Sequence, residues 1–184
     1  MFIQTEATPN PATVKFIPGR DVLGDGAVDF RDPSEAAGSP LARRLFAIDG
    51  VSGVFLGSDF ISVTKGAIEW QHLKPAVLGA IMEHFMSGAP VVEGDGGEVA
   101  ENEDFDPADA ETVATIKELL ETRVRPAVAN DGGDIVFHGF REGIVYLHMR
   151  GACSGCPSST ATLQGGIERL LQHFCPEVAE VRAV

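Results

Sequence analysis

Residues 151–159 read Gly151-Ala152-Cys153-Ser154-Gly155-Cys156-Pro157-Ser158-Ser159. They stand between an apolar strand pattern over residues 144–149 and an amphipathic helix pattern over residues 157–174. Two of the three cysteines of the chain, Cys153 and Cys156, lie in this stretch with two residues between them. Thiolates at that spacing can share a metal centre or exchange a disulfide, and the two chemistries imply different functions.

The patterns on both sides of the cysteines predict a small α/β domain over residues 109–184, in the order helix, strand, strand, helix, strand. The cysteine pair then lies in a strand-to-helix loop, where the helix dipole favours negative charge and helps both thiols to ionise. Gly165 and Gly166 interrupt the second helix and predict close packing there. The predicted elements are a helix from Asp109 to about Arg125, limited by Pro126, strands over 135–140 and 144–149, a helix from Pro157, and a strand over 178–184.

A second domain is predicted over residues 1–90, with the order ββαββα and helices on one side of an antiparallel sheet. Residues 20–38 are polar and contain glycine, so we expect mainly loop there. We find no catalytic constellation in this block, and we expect solvated or capping roles for His72 and His84. The predicted elements are strands over 2–6 and 13–17, a helix over 40–48, strands over 51–56 and 60–64, and a helix over 73–87.

An acidic segment separates the two domains and is predicted to be a flexible linker over residues 91–108. Nine acidic residues and no lysine or arginine lie between residues 89 and 111. Such a segment repels itself and lacks the apolar side chains that a core needs. The predicted class is therefore α+β, with two small α/β sandwich domains joined by an acidic linker.

The composition excludes several functional classes and suggests a compartment. A formal net charge of −13 argues against binding to nucleic acid or to anionic membranes. The sequence has neither a transmembrane run nor the features of a secretory or transit peptide, which predicts a cytoplasmic protein or a mature protein of the mitochondrial matrix. Three cysteines are too few for a disulfide scaffold, so the close pair is expected to bind metal or to be redox-active.

Coordination number decides how the pair can bind a metal, because structural zinc and iron–sulfur clusters need about four ligands. The helix of about 17 residues between the pair and Cys175 would rise roughly 25 Å, which excludes Cys175 from the same centre. We expect Cys175 to be a buried structural thiol. His148 could approach the pair, but one chain would still lack a fourth ligand. Two cysteines from each of two chains would complete a [4Fe–4S] cluster or a tetrahedral zinc site.

The cysteine stretch, together with Arg125-Pro126 and Asp131-Gly132-Gly133-Asp134, closely resembles the C-terminal NifU-like (Nfu-type) domain. The first block resembles the Nfu N-terminal domain through Thr8-Pro9-Asn10-Pro11, Lys15-Phe16 and the run from Ser39-Pro40 to Lys65. The resemblance implies an iron–sulfur cluster scaffold or carrier without enzyme activity. It would receive a [4Fe–4S] cluster from an upstream assembly scaffold, hold it in a homodimer through Cys153 and Cys156, and pass it to apo-proteins. The first domain would then have a partner-recognition or dimer-modulating role.

Two other interpretations use the same cysteines. A C-x-x-C pair at a helix start also occurs in thiol–disulfide oxidoreductases, although there it follows the opening strand of a βαβ unit rather than a hairpin. A zinc-bridged dimer would need the same four thiolates, and the sequence does not separate zinc from a cluster.

Overall fold

The computed structural model describes residues 1–24, 26–94, 103–153 and 157–184. The chain divides into two compact units, Met1–Glu98 and Val99–Val184. Each unit combines one sheet with helices, which confirms the predicted α+β class. None of the described helices has the length and apolar character needed to cross a membrane.

The first unit is a five-stranded antiparallel sheet in the order β1-β2-β5-β4-β3, covered on one face by two helices. Alternate residues of the central strands, such as Val54 and Leu56, pack against Leu45, Val77 and Ile81 of the helices. Ser39 begins α1 because its hydroxyl oxygen accepts from the Ala42 amide. The elements are β1 (Gln4–Ala7), β2 (Thr13–Ile17), β3 (Val28–Phe30), α1 (Pro40–Phe46), β4 (Val51–Leu56), β5 (Ile61–Lys65) and α2 (Trp70–Ser87).

The prediction that residues 20–38 are mainly loop is partly wrong, because they contain β3 and a 3-10 helix over Pro33–Gly38. β3 has three residues and pairs with β4 at the edge of the sheet. Phe30 anchors it in the core. A strand this short has no readable alternation, so tertiary packing decides its conformation. The observed order is βββαββα rather than ββαββα.

The prediction for His84 is also wrong, since its side chain is fully buried on the inner face of α2. α1 packs beside α2, and His84 is one of the residues that α2 buries. Neither ring nitrogen has a hydrogen-bond partner in the described part of the chain. Burial, together with the positive charge of Arg44, lowers the pKa of His84 and favours the neutral ring. His72, as expected, is exposed.

The second unit is a four-stranded mixed sheet in the order β6-β7-β8-β9. β7 and β8 are antiparallel, whereas both edge strands run parallel to their neighbours. Val145, Leu147 and Met149 of β8 face the core, as their alternation predicts. The elements are β6 (Asp104–Phe105), α3 (Ala110–Leu119), α4 (Arg125–Asn130), β7 (Gly133–Arg141), β8 (Ile144–Gly151), α5 (Pro157–Phe174) and β9 (Glu180–Ala183).

The first helix of this unit does not end at Arg125, contrary to the prediction from Pro126. A π-helical turn over Leu120–Val124 joins α3 to α4, and the Arg125 amide donates to the Leu120 carbonyl five residues earlier. Pro126 then occupies the first turn of α4, a position that tolerates a missing amide hydrogen. The predicted close packing at Gly165 and Gly166 is wrong as well, since a methyl group on either would have no neighbour within 4 Å among the described residues.

The predicted linker over 91–108 is too long at both ends. Val91 and Val92 pack against the core of the first unit, and the Ser39 hydroxyl donates to the Val91 carbonyl at 2.6 Å. At the other end, Asp104 and Phe105 form β6, and the Phe105 ring packs edge-on against Phe137. Apolar side chains within the acidic run therefore bind to the adjacent domains. The centre of the predicted linker, residues 95–102, lies outside the described residues.

Candidate metal centre

Cys153 follows β8 directly and is fixed by the backbone on both sides of it. Gly151 ends the strand with a φ of 66°, a conformation that favours glycine, and turns the chain toward α5. The Ala152 amide donates to the Gly132 carbonyl at 3.2 Å. The Cys153 carbonyl accepts from the Thr160 hydroxyl at 3.0 Å, which binds it to the first turns of α5. Cys153 is therefore held at the predicted strand-to-helix junction.

Gly133 makes room for Cys153 at the start of the neighbouring strand. In the antiparallel ladder Gly133 pairs with Gly151, and Asp134 pairs with Arg150. A methyl group at Gly133 would lie 2.8 Å from the sulfur of Cys153 and 2.8 Å from the Arg150 carbonyl oxygen. Contacts that short do not occur in folded proteins, so any larger residue at Gly133 would displace the cysteine or the strand.

A buried ion pair anchors the same end of β7. Asp134 is 6% exposed and accepts two parallel hydrogen bonds from Arg125, each of 2.9 Å. Glu121 accepts a further bond of 2.6 Å from the same guanidinium. These hydrogen bonds, those from Asp134 first, raise the pKa of Arg125 above its ordinary value. Because Asp134 follows Gly133, the Arg125–Asp134 ion pair also fixes the position of Gly133, which contacts Cys153.

The second predicted ligand, Cys156, lies outside the described residues, together with Ser154 and Gly155. Among the residues that are described, no three His, Cys, Asp or Glu side chains form a group that could hold a metal ion. Cys153 is 7% exposed and borders the core of the second unit. His148 lies on the half-buried face of β8, opposite Leu147 and Met149.

Cys175 lies at the far end of α5, as the helix length predicted. α5 has 18 residues and rises about 27 Å between the two ends. Cys175 is 3% exposed and packs in the core, which confirms its interpretation as a buried thiol. Burial raises the pKa of the Cys175 thiol, and the negative charge of Glu177 adds to the effect. A thiol held neutral in the core at this distance does not serve the same centre as Cys153.

The positioning residues around Cys153 are the part of the site that residue-type reasoning missed. Gly133, Asp134 and Arg125 lie in the runs that carry the family resemblance, but no structural role was predicted for their side chains, and Arg125 stands next to a proline that was expected to end a helix. The sequence offered one signal for the ion pair: Asp134 is a charged residue at the start of a predicted buried strand, and Arg125 lies nine residues before it. Their contact depends on the π-helical turn, which the apolar pattern does not reveal.

Comparisons with known proteins agree with this arrangement of two units. One family model, described as the scaffold protein Nfu/NifU N terminal, matches residues 3–88, and the NifU-like domain model matches residues 116–182. Human NFU1 iron-sulfur cluster scaffold homolog, mitochondrial, is 50% identical over 188 residues, which cover 100% of this chain and 72% of the relative. The homologue from Drosophila sechellia is 52% identical over 187 residues and is covered to 65% of its length.

NifU-like protein 4, mitochondrial, from Arabidopsis thaliana is 50% identical over 184 residues, which cover 98% of this chain and 65% of that protein. The chain thus spans about two thirds of the length of the curated relatives that it matches. Among solved structures, that of a NifU-like protein from Saccharomyces cerevisiae covers 52% of this chain and 87% of its own, with 24% identity and a TM-score of 0.47. Since both domain models match in order and half of the residues are shared with these relatives, the chain belongs to the family of Nfu/NifU scaffold proteins.

Proposed function

We propose that the chain is an iron–sulfur cluster carrier that binds a [4Fe–4S] cluster between two protomers through Cys153 and Cys156. The observation that carries the proposal is the separation of the cysteines by α5. Cys153 is held at the beginning of the helix, and Cys175 is buried at its end. One chain therefore offers at most two thiolates at the loop, and a cluster with four sulfur ligands requires a second chain.

A cluster held in this way is cargo that can be released. The site is complete while two protomers are associated, and their separation removes half of the ligands. The residues of this chain supply the thiolates and a rigid support, because Gly133, Thr160 and the Arg125–Asp134 pair hold the Cys153 backbone and its neighbouring strand. No catalytic step is required of the protein.

The partners of such a carrier follow from the same chemistry. An upstream assembly scaffold would donate the cluster, and apo iron–sulfur proteins would receive it. The relatives carry the word mitochondrial in their names. We therefore place the protein in the mitochondrial matrix, with the bacterial cytoplasm as the corresponding compartment in a prokaryote, since both keep thiols reduced.

The decisive experiment is anaerobic reconstitution of the full chain with iron and sulfide, followed by visible absorption and iron counting. We expect a broad absorption band at about 400 nm and about four irons per dimer. Dimerisation should depend on the cluster. Incubation of the reconstituted protein with an apo [4Fe–4S] enzyme should then restore the activity of that enzyme. Failure of that transfer would limit the protein to cluster storage.

The alternative functions predict other results in the same series. A colourless protein with about one zinc per dimer that cannot be loaded with iron would identify a zinc-bridged structural dimer and overturn the proposal. Turnover in an insulin-reduction assay, without cluster binding, would identify a thiol–disulfide oxidoreductase.

A further inference from the structure

The exposed side of α2 carries a continuous apolar stripe. Pro75, Gly79, Met82 and Met86 lie at positions i, i+4, i+7 and i+11 and therefore share one face of the helix. Met86 is 78% exposed and Met82 is 37% exposed. A methyl group added at Gly79 would have no neighbour within 4 Å among the described residues. We call these four residues the α2 outer stripe.

One edge of the stripe is cationic. Lys74 and Phe85 lie on the same side of α2, and the guanidinium of Arg20 stacks 5.0 Å from the centre of the Phe85 ring. The unit Met1–Glu98 contains seven lysine and arginine residues. Among its described residues, Arg20 and Lys74 form no ion pair with a carboxylate, whereas the other five do. The ion pairs of the others are Lys15–Glu6, Arg31–Asp29, Arg43–Glu93, Arg44–Glu83 and Lys65–Glu69.

The opposite edge of the stripe is neutral, because Glu83 pairs with Arg44 of α1 at 3.1 Å. Two unpaired cations beside one apolar face stand out in a chain with a net charge of −13, where carboxylates are in excess. Lys74 and Phe85, over which Arg20 stacks, are eleven residues apart on the helix, or about 16 Å. The surface is therefore complementary to a partner that has an apolar stripe and carries carboxylates about three turns apart along one edge of that stripe.

We propose that the α2 outer stripe docks an amphipathic helix of another protein, with the acidic edge of that helix toward Lys74 and Arg20. The flexible thioether side chains of Met82 and Met86 adapt to different apolar partners. Gly79 lets the partner approach the α2 backbone closely, as helix–helix packing requires. This surface lies in the first unit and contains no cysteine, so it would serve recognition rather than cluster binding.

A pair of synthetic helical peptides tests the proposal on the full chain. Both have a leucine stripe, and one carries glutamate along one edge where the other carries lysine. Fluorescence anisotropy of a dye-labelled copy of each peptide measures binding to the full chain. We expect the glutamate peptide to bind more tightly, with an affinity that falls as salt rises. A non-specific electrostatic attraction to a chain of charge −13 would produce the opposite order.

Three variants complete the test. Met82→Glu should abolish binding of the glutamate peptide, and Lys74→Glu should weaken it about tenfold by reversing an edge charge. Ala114→Glu, on the exposed side of α3, should leave binding unchanged. Equal or tighter binding of the lysine peptide, or an unchanged affinity in both α2 variants, would overturn the proposal. Self-association of the cluster-free chain that Met82→Glu abolishes would assign the stripe to a second copy instead and would also overturn it.

Discussion

The two ends of α5 each carry a buried cysteine that borders the core of the second unit, yet the backbone around the two cysteines differs. Cys153, 7% exposed, precedes the helix, and its carbonyl accepts from the Thr160 hydroxyl in the first turns of α5. Cys175, 3% exposed, follows the helix, and its amide donates to the Leu171 carbonyl. Because the two exposures are similar, we propose that the position of each cysteine relative to the helix dipole, rather than its solvent exposure, distinguishes the proposed ligand from the core thiol.

The largest expected effect comes from removing each cysteine in turn. Cys153→Ala should reduce the iron in the reconstituted protein from about four per dimer to nearly none, since the remaining thiolates are too few. Cys175→Ala should retain the iron, because its thiol lies about 27 Å away along α5. Iron and sulfide analysis after gel filtration measures both. Equal loss in the two variants would break the distinction between the helix ends.

A second comparison sets Gly133 beside Cys153 against Gly165 in the middle of α5. Gly133→Ala places a methyl group 2.8 Å from the Cys153 sulfur and from the Arg150 carbonyl oxygen. We expect a loss of about 1–3 kcal/mol in the free energy of unfolding and faster release of the bound cluster.

Gly165→Ala is the matched control for that change. Its methyl group has no neighbour within 4 Å among the described residues, and the change removes the helix penalty of glycine, so the free energy of unfolding should rise by about 1 kcal/mol. Urea unfolding of both variants, with a spectroscopic assay of cluster loss, supplies the two readouts. A stable Gly133→Ala protein that keeps its cluster would show that Cys153 can move without consequence.

Loss of the ion pair next to Gly133 should lower the stability by a similar amount. Arg125→Gln removes the bidentate partner of the buried Asp134 and should lower the free energy of unfolding by about 2 kcal/mol. Arg141→Gln removes an ion pair with Asp104 in which both side chains are exposed, and should cost less than about 0.5 kcal/mol. Urea unfolding at neutral pH distinguishes them, and similar values for both variants would contradict the anchoring role of Asp134.

The sequence predicts the long elements and the ligand candidates well, because apolar periodicity and cysteine spacing are local signals. α2, β7, β8 and α5 all occur where the patterns place them. The short edge strands β3 and β6 escape prediction, since two or three residues carry no period. Packing against neighbouring elements, rather than local sequence, determines that those two strands form.

The support of the candidate site depends on contacts that no local pattern encodes. The π-helical turn before Arg125 brings that side chain to Asp134, and a strand register brings Gly133 to Cys153. The spacing of the cysteines could predict Cys153 as a candidate metal ligand and exclude Cys175 from the same site, because the length of the intervening helix is itself predictable. It could not predict that His84, twelve residues after an exposed histidine on the same helix, is buried under α1.

A further expected effect concerns the pH dependence of stability at the Cys175 end of α5. Burial and Glu177 raise the pKa of this thiol in the folded chain, so the unfolded chain loses its proton first as pH rises above about 8.5. The thiol therefore contributes stability that is fully present below that pH and declines above it, by at most about 1.4 kcal/mol per pH unit. Urea unfolding of the reduced protein and of Cys175→Ala between about pH 7 and 10 isolates this contribution as their difference. A difference that stays constant across the range would mean that the thiol ionises equally in both states, and the end of α5 would then not be the apolar environment that distinguishes it from Cys153.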